Sequence, residues 1–406
     1  MTKVILKRGR EESLRRFHPW VFSGAIAQIT GNPSEGDIVG VYSSDGTFMA
    51  WGHYQIGSIA VRILSFDSDV QSPDFWEIMI RRALSVRIAA GLAADPESGS
   101  GRSEVRTDCY RLVHGEGDNL PGLIIDFYDG VCVLQAHSVG MFRSRKQISD
   151  ALRKVFGESL KAVYDKSSGT APFKAGLDLV DGYMYRREGF SSDESAVLEN
   201  GHRFIVNWAS GQKTGFFLDQ RENRALVERY ANGRYVLNLF CYTGGFSVYA
   251  LAGGARHVDS VDSSAKAMDL VARNVRENGF DESCHTGYCC DAIDFLKTCP
   301  EEKYDLMVVD PPAFAKHRGA LKNALRAYQR LNAYAISKVA PGGLVFTYSC
   351  SQVVDKESFA LAVFSAAAQT GRSVRILDRL NQPADHSVNI YHPEGEYLKG
   401  LLLYVE

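Results

Sequence analysis

The sequence predicts an α/β protein in which a doubly wound, mostly parallel sheet is preceded by a small β-barrel and an α+β region. From about residue 191 onward, strand-favouring runs alternate with helical patterns over short connections, which is typical of a parallel sheet with helices on both faces. Before residue 70, short strand patterns are separated by glycine and polar turn residues, which favours a small barrel. The 406 residues are too many for one compact core, and we predict domains at 1–72, 73–190 and 191–406.

The bulk composition is ordinary for a globular protein, with 45% hydrophobic and 23% charged residues. No apolar run is long enough to span a membrane, and residues 1–9 show no signal-peptide pattern. Eight cysteines scattered along the chain do not resemble a disulfide framework and indicate a reducing compartment. We therefore expect a cytoplasmic protein without membrane contact. Because the net charge is only −2, binding to a polyanion would need local basic patches.

The cysteines and histidine at 284, 285, 289 and 290 raise the question of a zinc site. Their spacing is not that of a zinc finger or ribbon, and no second cysteine pair follows at a suitable distance. We interpret them as thiols on and beside a strand, and we predict no metal site.

The amino-terminal half contains several predicted elements. The strand runs of the barrel are VILK, DIVGVYSS, TFMAWGHY and IAVRILSF. A helix is predicted over 73–91 and a loop over 92–106. In the middle region, LIIDFYDGVCVLQAH predicts a hairpin that turns at Asp129-Gly130. A helix over 142–156 and strands in AVYDK and DGYMYRREG complete this region.

The first strand of the predicted sheet, YVLNLF, leads through CYTGG into a helical pattern. Gly244 and Gly245 in this turn would let a ligand approach the backbone at the carboxyl edge of the sheet, where open α/β folds bind ligands. The turn is not GxGxxG, so a pyrophosphate-gripping turn is poorly supported. A tight turn without a ligand is the alternative.

Acidic residues follow the next two strands. Asp262 ends HVDSVD, 18 positions after Gly244, close to the offset of about 20 residues at which an acidic residue meets ribose hydroxyls. Alone it could equally be a helix N-cap, but with the glycine turn it indicates an adenosine-bearing cofactor. Asp291, after the predicted third strand, could accept from an adenine amino group or cap the following helix, and both alternatives stay open.

The strand YDLMVVD ends in Asp310-Pro311-Pro312-Ala313-Phe314. Two prolines stop the strand abruptly, which holds the Asp310 carboxylate at the ligand edge. Such a carboxylate can accept from an amino group of a planar base, and Phe314 could stack on that base. The alternative is a rigid loop with a capping aspartate.

A basic segment follows directly. Residues 316–330 contain five Lys or Arg and no acidic residue, and residues 1–16 contain six against two Glu. Beside a base pocket, such a segment fits phosphate contact, although a solvated helix face is a common explanation of basic runs.

The motifs NLFCYTGGFSVYA, VDSS, DPPAF and YSCS, in this order, resemble class I S-adenosylmethionine-dependent methyltransferases. More narrowly, nearly the whole chain is similar to a family of bacterial 23S rRNA 5-methylcytosine methyltransferases. RRFHPWVFSGAI (15–26) resembles the opening of a PUA domain, a small RNA-binding β-barrel. GQKTGFFLDQRENR (211–224) resembles the segment that closes over the cofactor, and HPEGEYLKG (392–400) the carboxyl-terminal hairpin.

The resemblance implies S-adenosylmethionine as cofactor and RNA, 23S rRNA in particular, as partner, and it leaves a homodimer open. It implies that the loop over 238–246 and Asp262 hold the methionine and ribose ends, that Asp291 and Ala292 lie by the adenine, and that Asp310 lines the methyl-transfer site. The implied cofactor residues are Gln220, Asn238, Phe240, Thr243, Gly244, Asp262, Ser263, Asp291, Ala292 and Asp310. The expected RNA-binding residues are Phe314, Lys316, Arg318 and Lys322.

The run LVFTYSCSQ places Cys350 at the end of a further strand. Carbon 5 of cytosine is a poor nucleophile until a thiolate adds to carbon 6, and a cysteine with a lowered pKa could supply that thiolate. The resemblance places the family's nucleophile in YSCS, so the expected catalytic residues are Cys350 and Asp310. An inert thiol at the strand end is the alternative.

The chain departs from many RNA 5-methylcytosine enzymes in one respect. They carry a second cysteine after the Asp/Pro-Pro motif, where this chain has Ala313 or Phe314. This leaves the elimination step unassigned. It also keeps open methylation of a guanine nitrogen without a covalent intermediate, and a non-catalytic RNA-binding protein is a further alternative. A nicotinamide-dependent oxidoreductase is disfavoured by the missing GxGxxG turn.

Overall fold

The computed structural model of the protein describes residues 2–67, 69–94, 106–172 and 176–406. The chain forms two compact units. The first comprises Met1–Val197, Val206–Leu218 and Ala384–Gly395, and the second comprises Leu198–Ile205, Asp219–Pro383 and Glu396–Glu406. The division into three domains at residues 72 and 190 stays a prediction.

The first unit opens with a six-stranded sheet in the order β2-β6-β5-β4-β1-β3. The four strand runs predicted from the sequence all form strands, and two short strands were not foreseen. The strands are β1 Lys3–Leu6, β2 Trp20–Phe22, β3 Ile26–Thr30, β4 Ile38–Tyr42, β5 Phe48–Tyr54 and β6 Ile59–Ser65, with the short helix α1 Glu12–Arg15. Alternate side chains such as Val39 and Val41 are buried, which gives this sheet its own apolar core.

A five-stranded sheet in the order β11-β10-β9-β8-β7 completes the sheets of the first unit. The predicted hairpin turn is confirmed, since Asp129 and Gly130 both adopt positive φ (43° and 89°) as a type I′ turn requires. The elements are α2 Phe75–Ala89, β7 Cys109–His114, β8 Leu123–Tyr128, β9 Val131–Ala136, α3 Val139–Arg143, α4 Arg145–Phe156, β10 Ala162–Asp165 and β11 Gly182–Arg186. Most of the loop expected over 92–106 lies outside the described residues.

A two-stranded pair and a seven-stranded sheet follow. The pair consists of β12 Glu194–Glu199 and β13 His202–Asn207. The strands of the larger sheet are β14 Tyr235–Leu239, β15 His257–Asp262, β16 His285–Cys289, β17 Tyr304–Val309, β18 Val339–Ser349, β19 Val374–Asn381 and β20 Lys399–Val405. The helices of the second unit are α5 Arg221–Tyr230, α6 Gly245–Ala252, α7 Ala265–Glu277, α8 Ala292–Thr298, α9 Leu321–Lys338 and α10 Lys356–Thr370.

The seven-stranded sheet has the order β16-β15-β14-β17-β18-β20-β19. Its first five strands pair in parallel, whereas β20 is antiparallel to both β18 and β19. The predicted doubly wound, mostly parallel sheet is therefore confirmed. The strands β14, β17 and β18 are buried along most of their length, which explains their mainly apolar sequences, whereas the edge strand β16 contains no buried residue.

The strand directions determine which residues lie at the same edge of the seven-stranded sheet. The carboxyl ends of β14 to β18 reach one edge of the sheet, and the switch in strand order lies between β14 and β17, where ligands bind in this fold. Because β20 is antiparallel to β18, its first residue, Lys399, lies opposite Ser349 at this same edge. None of the described helices combines the length and apolarity needed to cross a lipid bilayer.

Candidate active site at the carboxyl edge of the sheet

The loop after β14 has a strained backbone. Phe240 and Tyr242 adopt positive φ (57° and 46°), which is uncommon for residues with a large side chain, and Gly244 follows at 78°. The loop is anchored from α7, where Asn274 Nδ2 donates to the carbonyl oxygen of Thr243 at 2.8 Å. Such strain persists only where the surroundings fix it, and it is concentrated at ligand sites. The sequence indicated the glycine turn, but it gave no sign of the two strained aromatic residues.

Asp262 is positioned by two backbone donors. Its Oδ2 accepts from the Tyr242 N–H at 3.0 Å and its Oδ1 from the Ser264 N–H at 2.9 Å. The N-cap of α7 is Ser264, whose hydroxyl accepts from the Ala267 N–H. Asp262 is thus held against the strained loop and is not the cap residue of α7. It is half-buried, and each carboxylate oxygen can accept a further hydrogen bond. Ser263 is exposed beside it.

Asn238 lies inside β14 and is buried. Its Nδ2 donates to the Ser247 hydroxyl at 2.8 Å, and Ser247 bonds in turn to Ser260 at 2.7 Å. Its Oδ1 is buried without a hydrogen-bond partner among the described residues. Because an unsatisfied buried carbonyl oxygen is unfavourable, Asn238 is suited to accept from a ligand amino group.

Asp291 caps α8. Its Oδ1 accepts from the backbone N–H groups of Ile293 (2.8 Å) and Asp294 (3.0 Å). The sequence left open whether Asp291 caps the helix or contacts adenine. In the structure it caps α8, and the adenine contact stays a prediction. Ala292 is buried in the first turn of this helix.

We expect Asp291→Ala to lower the free energy of unfolding by about 1 kcal/mol, because two backbone donors of α8 lose their acceptor. Asp291→Ser keeps a capping oxygen but shortens the side chain, so its stability should stay close to that of the unchanged protein. Urea unfolding measures both. If Asp291 acts only as a cap, Asp291→Ser will bind S-adenosylmethionine with unchanged affinity in calorimetry. A stable serine variant with clearly weaker binding would instead favour the adenine contact.

Gln220 connects the segment before the sheet to Asp310. Its Nε2 donates to Asp310 Oδ2 at 3.0 Å, and its Oε1 accepts from Asn223 at 2.5 Å. Gln220 and Asn223 are buried, whereas Asp310 is half-buried. The structure therefore brings together two residues that the resemblance implied for the cofactor and methyl-transfer site. Asn223 could not be identified from the sequence, because it lies in the first turn of an otherwise polar helix.

Asp310 and Cys350 follow neighbouring strands. Val309 pairs with Thr347 in the β17–β18 ladder, so Cys350 lies two positions beyond the residue opposite Asp310. Strand spacing and rise then separate the two Cα atoms by about 8 Å. Ser351 joins their loops, since its hydroxyl accepts from the Ala315 N–H at 3.3 Å and bonds the Tyr328 hydroxyl at 3.2 Å. A planar base could therefore contact both Asp310 and Cys350.

The residues expected to bind RNA lie on the loop and helix that follow. Phe314 is half-buried with its ring centroid 4.7 Å from that of Tyr328, so α9 supports this ring. Lys316, Arg318 and Lys322 are exposed. Their ammonium and guanidinium groups can therefore reach a polyanion.

Cys350 is half-buried at the sheet edge. Burial raises the pKa of Cys132 and Cys241, which makes these thiols poor nucleophiles. The cysteines at 289 and 290 are exposed at the end of β16, the edge strand of the sheet. Lys399, which the sequence analysis did not single out, is buried beside the Cys350 loop.

The first unit contains a group of potential metal ligands that the sequence did not indicate. Ligand atoms of His18, His392 and Glu394 lie within 4.8 Å of one another. His392 is buried, and neither of its ring nitrogens has a hydrogen-bond partner among the described residues. The ring of Trp20 packs against it with centroids 4.3 Å apart. The four residues at 284, 285, 289 and 290 form no such group within the described ranges.

The residues at the sheet edge fit the S-adenosylmethionine implied by the resemblance. Asp262 presents carboxylate oxygens that can accept from two ribose hydroxyls, and the orphan oxygen of Asn238 can accept from the amino group of a methionine moiety. The strained loop between them would hold the cofactor through its backbone.

Comparison with known proteins supports this interpretation. The model of the S-adenosylmethionine-dependent methyltransferase family matches residues 111–402, and that of the PUA-like domain matches residues 4–66. Ribosomal RNA large subunit methyltransferase I of Aeromonas hydrophila is 39% identical over 405 residues, covering 98% of both chains. The protein of the same name from Pseudoalteromonas translucida is 38% identical over 403 residues, again covering 98% of both chains.

Two solved structures share the fold over their whole length. A protein of Streptococcus mutans assigned as an S-adenosylmethionine-dependent methyltransferase has a TM-score of 0.81 at 22% identity, with 100% of both chains covered. A second, assigned as a methyltransferase and solved in complex with S-adenosylhomocysteine, has a TM-score of 0.83 at 23% identity with the same coverage. With its sequence relatives and both matching domains, the chain belongs to the S-adenosylmethionine-dependent methyltransferase family that includes the ribosomal RNA large subunit methyltransferases I, and it carries an amino-terminal PUA-like domain.

Proposed function

We propose that this protein transfers a methyl group from S-adenosylmethionine to carbon 5 of a cytosine in RNA, with 23S rRNA as the substrate, through a covalent adduct at Cys350. The proposal is supported above all by a contact between two loops. In the loop that follows Asp310, the Ala315 N–H donates to the hydroxyl of Ser351, which lies in the loop that begins with Cys350. A carboxylate that can hold a base and a thiol that can attack it thus lie at the ligand edge of one sheet.

The chemistry requires a thiolate. Its sulfur forms a bond to carbon 6 of cytosine, and the electrons of the 5,6 double bond move to carbon 5. The bound S-adenosylmethionine supplies an electrophilic methyl group, which bonds to carbon 5 as the sulfonium–carbon bond breaks and leaves a neutral thioether. Loss of the carbon-5 proton to water then restores the double bond and expels the Cys350 thiolate. Asp310 would hold the ring by accepting from its exocyclic amino group.

RNA as the substrate is supported from both units. The relatives are named ribosomal RNA large subunit methyltransferases I, and the first unit carries a PUA-like domain. In the second unit, Lys316, Arg318 and Lys322 are exposed on the segment that follows the Asp310 loop. Phosphate contacts from this segment would position a strand whose target base has left its stack.

A second candidate is methylation of a guanine nitrogen without a covalent intermediate. The absence of a cysteine at Ala313 or Phe314 favours it, because the chain then lacks the group that commonly helps release the cytosine product. In that reaction Asp310 alone would contact the base. A protein that only binds RNA is less well supported, because the strained loop and Asp262 keep the features of a cofactor site.

The test uses 23S rRNA from cells that lack the protein, both free of protein and as large ribosomal particles, with tritium at carbon 5 of its cytosines. Methylation at carbon 5 should release one tritium per methyl group added, and mass mapping of the product should show 5-methylcytosine. Methylated guanine without tritium release would establish the second candidate. Failure to bind S-adenosylmethionine in equilibrium dialysis would favour the non-catalytic alternative.

A further inference from the structure

We propose that Lys399 is the counter-ion of the Cys350 thiolate, a positioning residue whose buried ammonium group keeps the nucleophile ionised. The inference rests on the proposed function, because it assigns a role to Lys399 through Cys350. Neither the sequence motifs nor the comparisons assign Lys399 a function.

The position of Lys399 follows from strand pairing. Lys399 is the first residue of β20 and lies opposite Ser349, the last residue of β18. Its Nζ donates to the carbonyl oxygens of Ser351 (2.6 Å) and Val354 (2.5 Å). The ammonium group therefore binds the loop that begins with Cys350. Its first carbonyl partner belongs to Ser351, the residue directly after Cys350, and its second to Val354.

The charge on Lys399 lacks a carboxylate partner. Lys399 is only 6% exposed, and among the described residues it forms no salt bridge, whereas nearby Lys356 pairs with Glu396. A buried ammonium group is unfavourable unless a counter-charge is close. Two backbone carbonyls accept hydrogen bonds from two of its three N–H groups but do not neutralise its charge. A thiolate at Cys350 would supply the missing negative charge.

The electrostatic surroundings agree with this geometry. Burial lowers the pKa of Lys399 to about 8, and the interaction with Cys350 is the largest one that raises it, followed by those with Asp355 and Glu396, while Lys356 lowers it. With a pKa of about 8, Lys399 is mostly protonated at pH 7. A neighbouring cation is one of the features that lower the pKa of reactive cysteines.

The experiment measures the alkylation rate of Cys350 by iodoacetamide from pH 5 to 10, with mass spectrometry of the Cys350 peptide, in the full-length protein. In Lys399→Gln, which keeps a hydrogen-bond donor but removes the charge, we expect the pKa of Cys350 to rise by about one unit or more. Its alkylation at pH 7 should then slow about tenfold. Lys399→Arg keeps the charge and should retain most of the fast reaction.

Lys356→Met is the matched control, since it removes a nearby exposed lysine and should leave the alkylation profile almost unchanged. An unchanged pKa of Cys350 in Lys399→Gln would overturn the proposal. A reciprocal measurement keeps Lys399 in place: in Cys350→Ala the pKa of Lys399, followed by NMR after 13C-methylation of lysines, should fall because the thiolate is gone. If it does not fall, the two groups are not coupled.

These readouts separate the two proposals. If Cys350→Ala methylates RNA normally while Lys399→Gln shifts the thiol pKa, the covalent mechanism fails but the ion pair stands. If Cys350→Ala is inactive while Lys399→Gln leaves the thiol pKa unchanged, the nucleophile stands and the role of Lys399 fails.

Discussion

Replacing Cys350 with alanine is expected to reduce RNA methylation by about 10³-fold or more, because carbon 5 of cytosine then has no route to become nucleophilic. The substitution removes one sulfur from a half-buried position and leaves the hydrogen bonds of Ser351 and Lys399 in place. S-adenosylmethionine affinity should therefore change little, whereas the midpoint of thermal unfolding at pH 7 should fall, because the buried ammonium group of Lys399 loses its proposed counter-charge. Single-turnover assays with 23S rRNA measure the rate, and calorimetry measures the affinity.

A direct readout of the adduct comes from RNA containing 5-fluorocytosine. Fluorine at carbon 5 cannot leave as a proton does, so the adduct should accumulate and shift the protein on a denaturing gel. Cys350→Ala should give no shift. Cys289→Ala, which removes an exposed thiol at the end of β16, is the matched control and should form the adduct normally. Methylation by Cys350→Ala at the rate of the unchanged protein would exclude the thiol as nucleophile.

The sheet was predictable because its central strands β14, β17 and β18 carry mainly apolar runs and because the strand ends are marked by recognisable residues. The glycine turn after β14, Asp262 at the end of β15 and the Asp310-Pro311-Pro312 stop after β17 are all local signals. A local sequence pattern predicts the structure reliably when the residues that form the pattern also form the turn or strand end itself. These strand ends were therefore found from the sequence alone.

The contacts between strand ends were not predictable in the same way. The importance of Lys399 depends on the antiparallel register of β20 against β18, which brings residues 349 and 399 together. In the sequence, Lys399 looks like an ordinary polar residue before an apolar strand. Likewise, the hydrogen bond from Gln220 to Asp310 connects a residue that precedes the sheet in the chain with the residue directly after β17. Only the fold could show these pairs.

Asp291 illustrates a further limit. An aspartate between a strand and a helix can hold a ligand or cap the helix, because both roles use the same carboxylate at the same place in the chain. The sequence therefore left the question open. In the structure Asp291 Oδ1 accepts from two backbone donors of α8, whereas Asp262 accepts from the strained loop and the cap of α7 is a serine. A capping aspartate and a ligand-binding aspartate are therefore distinguished by the geometry of the side chain, which the sequence does not contain.

Replacing Asp310 with asparagine is the second change with a large expected effect. The carboxylate is held by Gln220 and would accept from the exocyclic amino group of the base. Asparagine keeps the shape but loses the charge, and it can present an amide nitrogen that repels that amino group. A charge-assisted hydrogen bond of about 3 kcal/mol corresponds to a loss of roughly 10²-fold. We expect a fall of this size in the rate of RNA methylation, measured in single turnover.

The pair of Gln220 and Asp310 allows this effect to be separated from a simple loss of structure. Gln220→Ala removes the hydrogen bond that orients Asp310 but keeps the carboxylate, so it should slow methylation less than Asp310→Asn does. In the double variant the two effects should not add, because Gln220 acts through Asp310. If they do add, Gln220 supports methylation independently, as a cofactor contact would. If Asp310→Asn methylates RNA at the unchanged rate and with the same base preference, the base is held by another group, and the role given to the strand end after β17 is wrong.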